Sequence, residues 1–264
     1  MALLGLSGAG GLRLAGLSLA CFGLWNALVV PVTRRAAPGL AARLEARGQR
    51  VEWVNYVVSF SYIVLVSAAV VAIAAREGLT FLSDGLVARE SDSCRGVIVL
   101  SLGYFAWDTF DMVRGGSLDW QMALHHGVIL SVYSSSIYYD TYQVYTTTGL
   151  ICEINTVFLH LRKLLQLAEV DRESRLYRAN LGLLLLGFFP LRVGPHLYLL
   201  GRVWRDRELF AARWMWALAV LGLAAINGLN ALLLRSVLHA DRRLLRRLAG
   251  LAQEPDTQPQ RKAQ

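Results

Sequence analysis

Little in this chain belongs to an ordinary soluble enzyme. Only three of its 264 residues are cysteine, Cys21, Cys94 and Cys152, and two of them sit inside apolar runs, so a disulfide framework is excluded. No metal-type cysteine spacing occurs, and no metal site or bound cofactor is expected. There is no GxGxxG run, no P-loop and no GxSxG elbow, which removes the signatures of dinucleotide binding, nucleotide hydrolysis and the serine-hydrolase fold. Charged residues reach only 17%, fewer than a soluble surface carries. The formal net charge of +8 would suit nucleic acid, but Lys and Arg lie between apolar blocks and are not gathered into one phosphate-binding face.

What remains is apolar. Hydrophobic residues make up 55% of the chain, with a mean hydropathy of +0.42, and the reading is an all-α, polytopic membrane protein. About 20 apolar residues cross a bilayer, and backbone groups in lipid must be satisfied within the segment, so each long apolar run predicts a helix. Seven runs qualify: Leu12 to Val32, Trp53 to Ala75, Val97 to Val113, Met122 to Tyr139, Tyr142 to Leu165, Leu181 to Val203 and Trp214 to Leu238. Arg34, Arg35, Arg43, Arg47 and Arg50 follow the first run, an order that favours an N-out anchor over a cleaved signal. Lys and Arg then place the first, third and fifth links and the "RRLLRR" tail in the cytosol. The link from Arg202 to Arg213 dissents, carrying four Arg on the expected outer side. The expected organisation is an N-terminal anchor and basic link over 1–52, a membrane domain over 53–240 and a basic, then polar and disordered, cytosolic tail over 241–264.

Against this background, polar residues within spans are informative, because ionisable groups at depth are functional candidates by default. Tyr104, Asp108 and Asp111 share one face of the third run. His125 and His126, in "LHHGV", lie about 100° apart on the fourth, so one can point inward while the other lies at its flank. Gly149, Glu153, Thr156 and His160 form a stripe on the fifth. On the sixth, Arg192 and His196 are one turn apart, bracketed by Pro190 and Pro195, which should kink the helix. Bland readings stand beside these: Asp111 facing water at a span end, Asn227 and Asn230 as interhelical glue, His160 and His196 as locally satisfied polar residues, and Tyr138, Tyr139, Tyr142 and Tyr145 as an interfacial belt. For Asp108, His125, His126 and Glu153 the functional reading is preferred. A neutral imidazole can serve as general base or as nucleophile toward an activated acyl group while a carboxylate orients it. Zinc is a weaker reading, since adjacent histidines lack the i, i+4 geometry of helical metal sites.

The stretches "WVNYVVSFSY", "LGYFAWDTFDM", "LHHGVIL", "CEINTVFLHLRKLL" and "FFPLRVGPHLYLL", in this order, resemble the TLC-domain family over most of the chain from Trp53 onward. The resemblance implies six helices around a lipid-accepting chamber within a seven-helix protein, with the N-terminus outside. In the ceramide synthase branch a His-His pair transfers a fatty acyl group from acyl-CoA to a sphingoid-base amine. By motif position His125 and His126 match that pair, Asp108 an acidic position on the preceding helix, and Glu153 with Asn155 a polar motif on the following one. Tyr104, Asp111, Asn155, Arg192 and His196 are the expected substrate-binding residues. The chain shows "CEINTVFLH" where ceramide synthases carry an extended acidic block, which puts sphingoid N-acylation in doubt. "SLGYFAWDTFDM" and "EINTVFLHLRKLL" are more similar to a branch associated with the acyl composition of phospholipids, notably phosphatidylethanolamine, and so with membrane fluidity. Membrane lipids and fatty acyl chains are the expected partners, with acyl-CoA as the candidate co-substrate and no nucleic acid. The plasma membrane is favoured over the endoplasmic reticulum, no retrieval signal being present. A non-catalytic lipid-binding regulator and a transporter remain open alternatives.

Overall fold

A computed structural model of the chain describes residues 8–77 and 91–249. The polar tail from Glu254 and most of the link between Arg76 and Arg95 lie outside the described residues. Every extended element among the described residues is helical: α1 Gly8–Ala36, α2 Pro38–Ala46, α3 Arg50–Glu77, α4 Asp92–Gly115, α5 Trp120–Tyr139, α6 Gln143–Gly149, α7 Cys152–Leu167, α8 Arg175–Gly187, a π-helical segment Phe188–Val193, α9 Gly194–Arg205, α10 Arg213–Ala240 and α11 Arg242–Leu248. Local chemistry sets several ends. Ser91, Asp119 and Ser174 accept from the first-turn amides of Cys94, Met122 and Tyr177, which have no partner within the helix, at 3.2, 2.9 and 3.2 Å. Gly116 closes α4 with φ +65°, a conformation that costs a residue without Cβ little.

Among the described residues five helices are long and apolar enough to cross a membrane: α1, α3, α4, the joined Arg175–Arg205 run and α10. The chain is therefore an all-α, multi-pass integral membrane protein. The other two expected spans differ. The fourth run forms α5, whose 20 residues carry His, Ser and Tyr that dilute its apolar character. The fifth breaks into α6 and α7. Across the break the amides of Leu150, Ile151, Glu153 and Ile154 bond to carbonyls three residues back instead of four. The preceding Thr146 and Thr148 also turn their hydroxyls onto the Tyr142 and Val144 carbonyls, which weakens regular helix there. In the sixth run, Pro190 and Pro195 bring a π-helical segment in place of a simple kink.

The helices pack into one bundle: α1 against α4, α3 against α7 and α4, α4 against α5, and α10 against α9 and α5. Small residues let backbones close up. A Cβ on Gly103 would lie 2.4 Å from both the Ala15 carbonyl oxygen and Ser18 Cβ, and there Ser18 donates to the Leu100 carbonyl at 2.9 Å. α1 presents Leu17, Leu24 and Leu28 outward, as a lipid-facing helix does. At the opposite corner Asp241, 1% exposed, ties three helices together. It accepts from Arg162 Nε on α7 at 2.6 Å and from the Tyr177 hydroxyl on α8 at 2.9 Å, at the junction of α10 and α11.

Candidate functional site

A cavity opens within the bundle formed by the described residues. It lies between α5, α6, the start of α7, the π-helical segment, α9 and α10, and holds about 1070 Å³ of space between its walls, mouth included. Regular helix faces build it. Val128, Ile129 and Val132 come from α5, Leu199 and Val203 from α9, and Met215, Leu218, Ala219, Gly222, Leu223 and Ile226 from α10, at spacings of three, four and seven that place them along one side of each helix. The walls are thus mainly apolar. Ionisable side chains gather at one end: His125, Glu153, Arg192 and His196.

Arg192 is the structural anchor of that end. Buried on the π-helical segment, it donates from Nε to Asn155 Oδ1 at 3.3 Å, from Nη1 to Asn230 Oδ1 at 3.2 Å, and from Nη2 to the Thr156 hydroxyl. Its guanidinium also lies 5.9 Å from the Phe188 ring centroid. These bonds join α7, α10 and the π-helical segment and hold a cation in the lining that also carries the Glu153 carboxyl. Asn155 completes the frame by donating to the Leu184 carbonyl at 2.9 Å. His196 Nδ1 meets the Arg192 carbonyl at 2.6 Å, one turn back along the chain.

At the far end of the cavity the α9–α10 connection folds across. Phe210 stacks on Tyr142 with centroids 4.7 Å apart, the Ala211 amide donates to the Tyr142 hydroxyl at 2.8 Å, and the Tyr145 hydroxyl donates to Asp206. Tyr142 and Tyr145 line the cavity, whereas Tyr138 and Tyr139 are exposed as belt residues should be. Three of the four dissenting arginines of this link have acidic neighbours: Arg202 and Arg205 lie near Asp206 at 3.5 and 3.7 Å, and Arg207 near Glu208 at 3.2 Å.

The two adjacent histidines part company. His125 faces the cavity; His126, 1% exposed, turns away from it into a separate cluster. There His126 Nε2 lies 3.4 Å from Asp108 Oδ2 and Nδ1 lies 2.9 Å from Thr109 Oγ1. Asn55 Nδ2 donates to Asp108 Oδ1 at 2.8 Å and to Asp111 Oδ2 at 3.1 Å. The expected catalytic set of His125, His126, Asp108 and Glu153 is therefore divided between the cavity and a buried cluster behind its wall. Of the expected substrate-binding residues, Arg192 and His196 line the cavity and Asn155 supports Arg192. Asp111 belongs to the second cluster, and Tyr104 stacks on Tyr62 at 3.7 Å in the core. His160 packs 5.2 Å from the Tyr56 ring, Asn230 bonds across helices to Arg192, and Asn227 bonds within its own helix to the Leu223 carbonyl. Sequence reasoning missed Asn55, whose place opposite two carboxylates has no periodic signal. It also missed the wall residues of α10, which read only as an apolar stripe.

Among the described residues no group of three or more His, Cys, Asp or Glu side chains could hold a metal ion. The arrangement offers an imidazole and a carboxyl at the end of an apolar cavity, with a guanidinium held by three hydrogen bonds in its lining. Such a site can receive an amphiphile and perform acid–base chemistry on its head.

Comparison with known proteins identifies a TLC domain over residues 49–239. The chain is similar to TLC domain-containing protein 2 of Danio rerio, with 26% identity over 162 residues, 61% of this chain and 65% of that protein. It is also similar to TLC domain-containing protein 1 of Gallus gallus, with 30% identity over 191 residues, 70% of this chain and 71% of that protein. Against TLC domain-containing protein 1 of Homo sapiens the identity is 28% over 105 residues, 39% of this chain and 42% of that protein. The match thus spans just under two thirds of the Danio rerio relative's length. No solved structure matches the chain.

Proposed function

The chain belongs to the TLC-domain family, whose members point to a lipid-related role in membranes, and on that premise we propose that it tunes the acyl composition of phospholipids, phosphatidylethanolamine foremost, and thereby membrane fluidity. The observation that carries this reading is the cavity: apolar along its length and ionisable at one end. Its extent suits one acyl chain. From His125 to Ser136 on α5, and from Met215 to Ile226 on α10, the lining covers about 16 Å at ~1.5 Å per residue. That is roughly half of a hydrocarbon core of ~30 Å, the depth of one leaflet.

In the proposed acyl-transfer step His125 is the catalytic residue. Its imidazole takes the proton from a hydroxyl or amine of the acceptor lipid as that atom attacks the carbonyl of an acyl thioester. The new acyl bond forms, the carbon–sulfur bond breaks, and the departing thiolate takes the proton from the imidazolium. Glu153 and His196 orient the reacting head, and Arg192 holds the wall. The donor is a fatty acyl-CoA, the membrane is the plasma membrane, and the N-terminus lies outside with the α11 end in the cytosol.

The test compares wild type, His125→Ala and His126→Ala at matched membrane levels in cells lacking the protein. Phospholipid and ceramide acyl profiles are followed by mass spectrometry after a labelled fatty-acid pulse. Loss of the phosphatidylethanolamine shift in His125→Ala is expected. An unchanged shift in that variant refutes the acyl-transfer step, and a ceramide shift by wild type redirects the function to sphingoid N-acylation.

A further inference from the structure

The cluster behind the cavity wall holds its own chemistry. Thr109 Oγ1 lies 2.6 Å from the Phe105 carbonyl oxygen and 2.9 Å from His126 Nδ1. A hydroxyl has a single hydrogen to donate. Two oxygens at 2.6 Å repel unless that hydrogen lies between them, so Thr109 donates to Phe105 and accepts from His126. His126 therefore carries a hydrogen on Nδ1. Its Nε2, buried and without a hydrogen-bond partner, then faces Asp108 Oδ2 at 3.4 Å. A bare nitrogen lone pair against a carboxylate oxygen would be doubly unfavourable in a water-poor interior.

The surroundings deepen the need for a proton. Asn55 on α3 is the shared donor to Asp108 and Asp111, and among the described residues neither carboxyl forms an ion pair with Lys or Arg. Tyr104 on α4, whose hydroxyl is a further donor toward Asp108, and Tyr56 on α3 are the neighbouring titratable groups, and neither is a cation. Toward His126 stand the Phe105 ring edge and the His125 ring, each with its centroid 5.6 Å away.

We propose that the buried pair of His126 and Asp108 holds one proton, on Nε2 or on Oδ2, making His126 a positioning residue that locks the rotation of α5 and so aims His125 into the cavity. The pair exists either as imidazolium with carboxylate or as imidazole with carboxylic acid; both place a proton where the neutral Nδ1–H ring alone has none. Where that proton resides does not depend on whether acyl transfer occurs.

The full chain, labelled with ¹⁵N-histidine in lipid nanodiscs, tests it by NMR at neutral pH. Only five histidines are present, and His126→Gln identifies the signal by its loss. A protonated Nδ1 together with an Nε2 that is protonated or hydrogen-bonded to an acid proton is expected. Asp108→Asn should remove that Nε2 proton and leave the neutral Nδ1–H ring. A wild-type His126 that is a neutral Nε2–H ring, or whose Nε2 has no bonded proton, overturns the proposal. Should Asp108→Asn fail to fold, Thr109→Val is expected to move the Nδ1 signal and Thr109→Ser to restore it, and indifference of that signal to both also overturns it. No lipid activity enters the readout, so its failure is separable from that of the acyl-transfer reading.

Discussion

Replacing Gly103 by alanine should loosen α1 from the bundle, although alanine is the better helix former. The added Cβ would stand 2.4 Å from the Ala15 carbonyl oxygen and from Ser18 Cβ, where ordinary contact begins at 3.4 Å. α1 must therefore withdraw by about 1 Å, and a gap of that size forfeits roughly a quarter to a half of each contact's attraction. Overpacking of this kind typically costs about 1–3 kcal/mol. Losing the 2.9 Å bond from Ser18 to the Leu100 carbonyl adds about 1 kcal/mol. The gain in helix preference over glycine returns about 1 kcal/mol, so a net destabilisation of roughly 1–3 kcal/mol remains. Gly96, on the same helix with nothing within 4 Å of its would-be Cβ, is the control. Gly96→Ala is expected to be neutral or mildly stabilising. Thermal unfolding of both variants in nanodiscs decides the matter: equal midpoints would mean that α1 does not rest on α4 through this glycine.

Three further outcomes are expected. Arg162→Met should destabilise by about 1–3 kcal/mol, because it leaves the buried Asp241 carboxyl with only the Tyr177 hydroxyl and the half-exposed Arg172 at 3.5 Å, and adding Asp241→Asn should recover much of the loss in the same unfolding assay. Gly222→Leu should block the cavity, since even a Cβ there would lie 2.9 Å from Val128 Cγ1; labelling by a photoreactive fatty acid should fall sharply, and persistent labelling would place the acyl site elsewhere. At the surface, the 2.6 Å bond from Arg34 holds the Glu45 carboxyl below the ordinary carboxylate range. Its small stabilising contribution is present above the ordinary value and lost as pH falls through the lowered one. Arg34→Gln should move the Glu45 titration, followed by ¹³C-carboxyl NMR, back upward.

Much of the helix layout was legible because hydropathy is summed over local composition. The runs from Leu12, Trp53, Val97 and Trp214 each fall within a helix long and apolar enough to span. The break between Gly149 and Cys152 was not legible, because a short, polar, threonine-rich stretch still reads as apolar when averaged over a longer run. The prolines at 190 and 195 announced a distortion of the sixth run. Its form, a π-helical segment that turns Arg192 toward Asn155, Thr156 and Asn230, depends on partners distant in sequence.

The sequence by itself determined the solvent of this protein and marked the polar residues that demand an explanation within it, because an unpaired charge in lipid is costly wherever its partners lie. Which charge faces which void was decided by the tertiary structure. His125 and His126 are neighbours about 100° apart, and nothing local distinguishes them. Only the rotation imposed on α5 by α4 and α10 sends one ring into the cavity with Glu153 and Arg192 and the other against Asp108. Helix rotation is set by packing across the bundle, which no single run of residues contains.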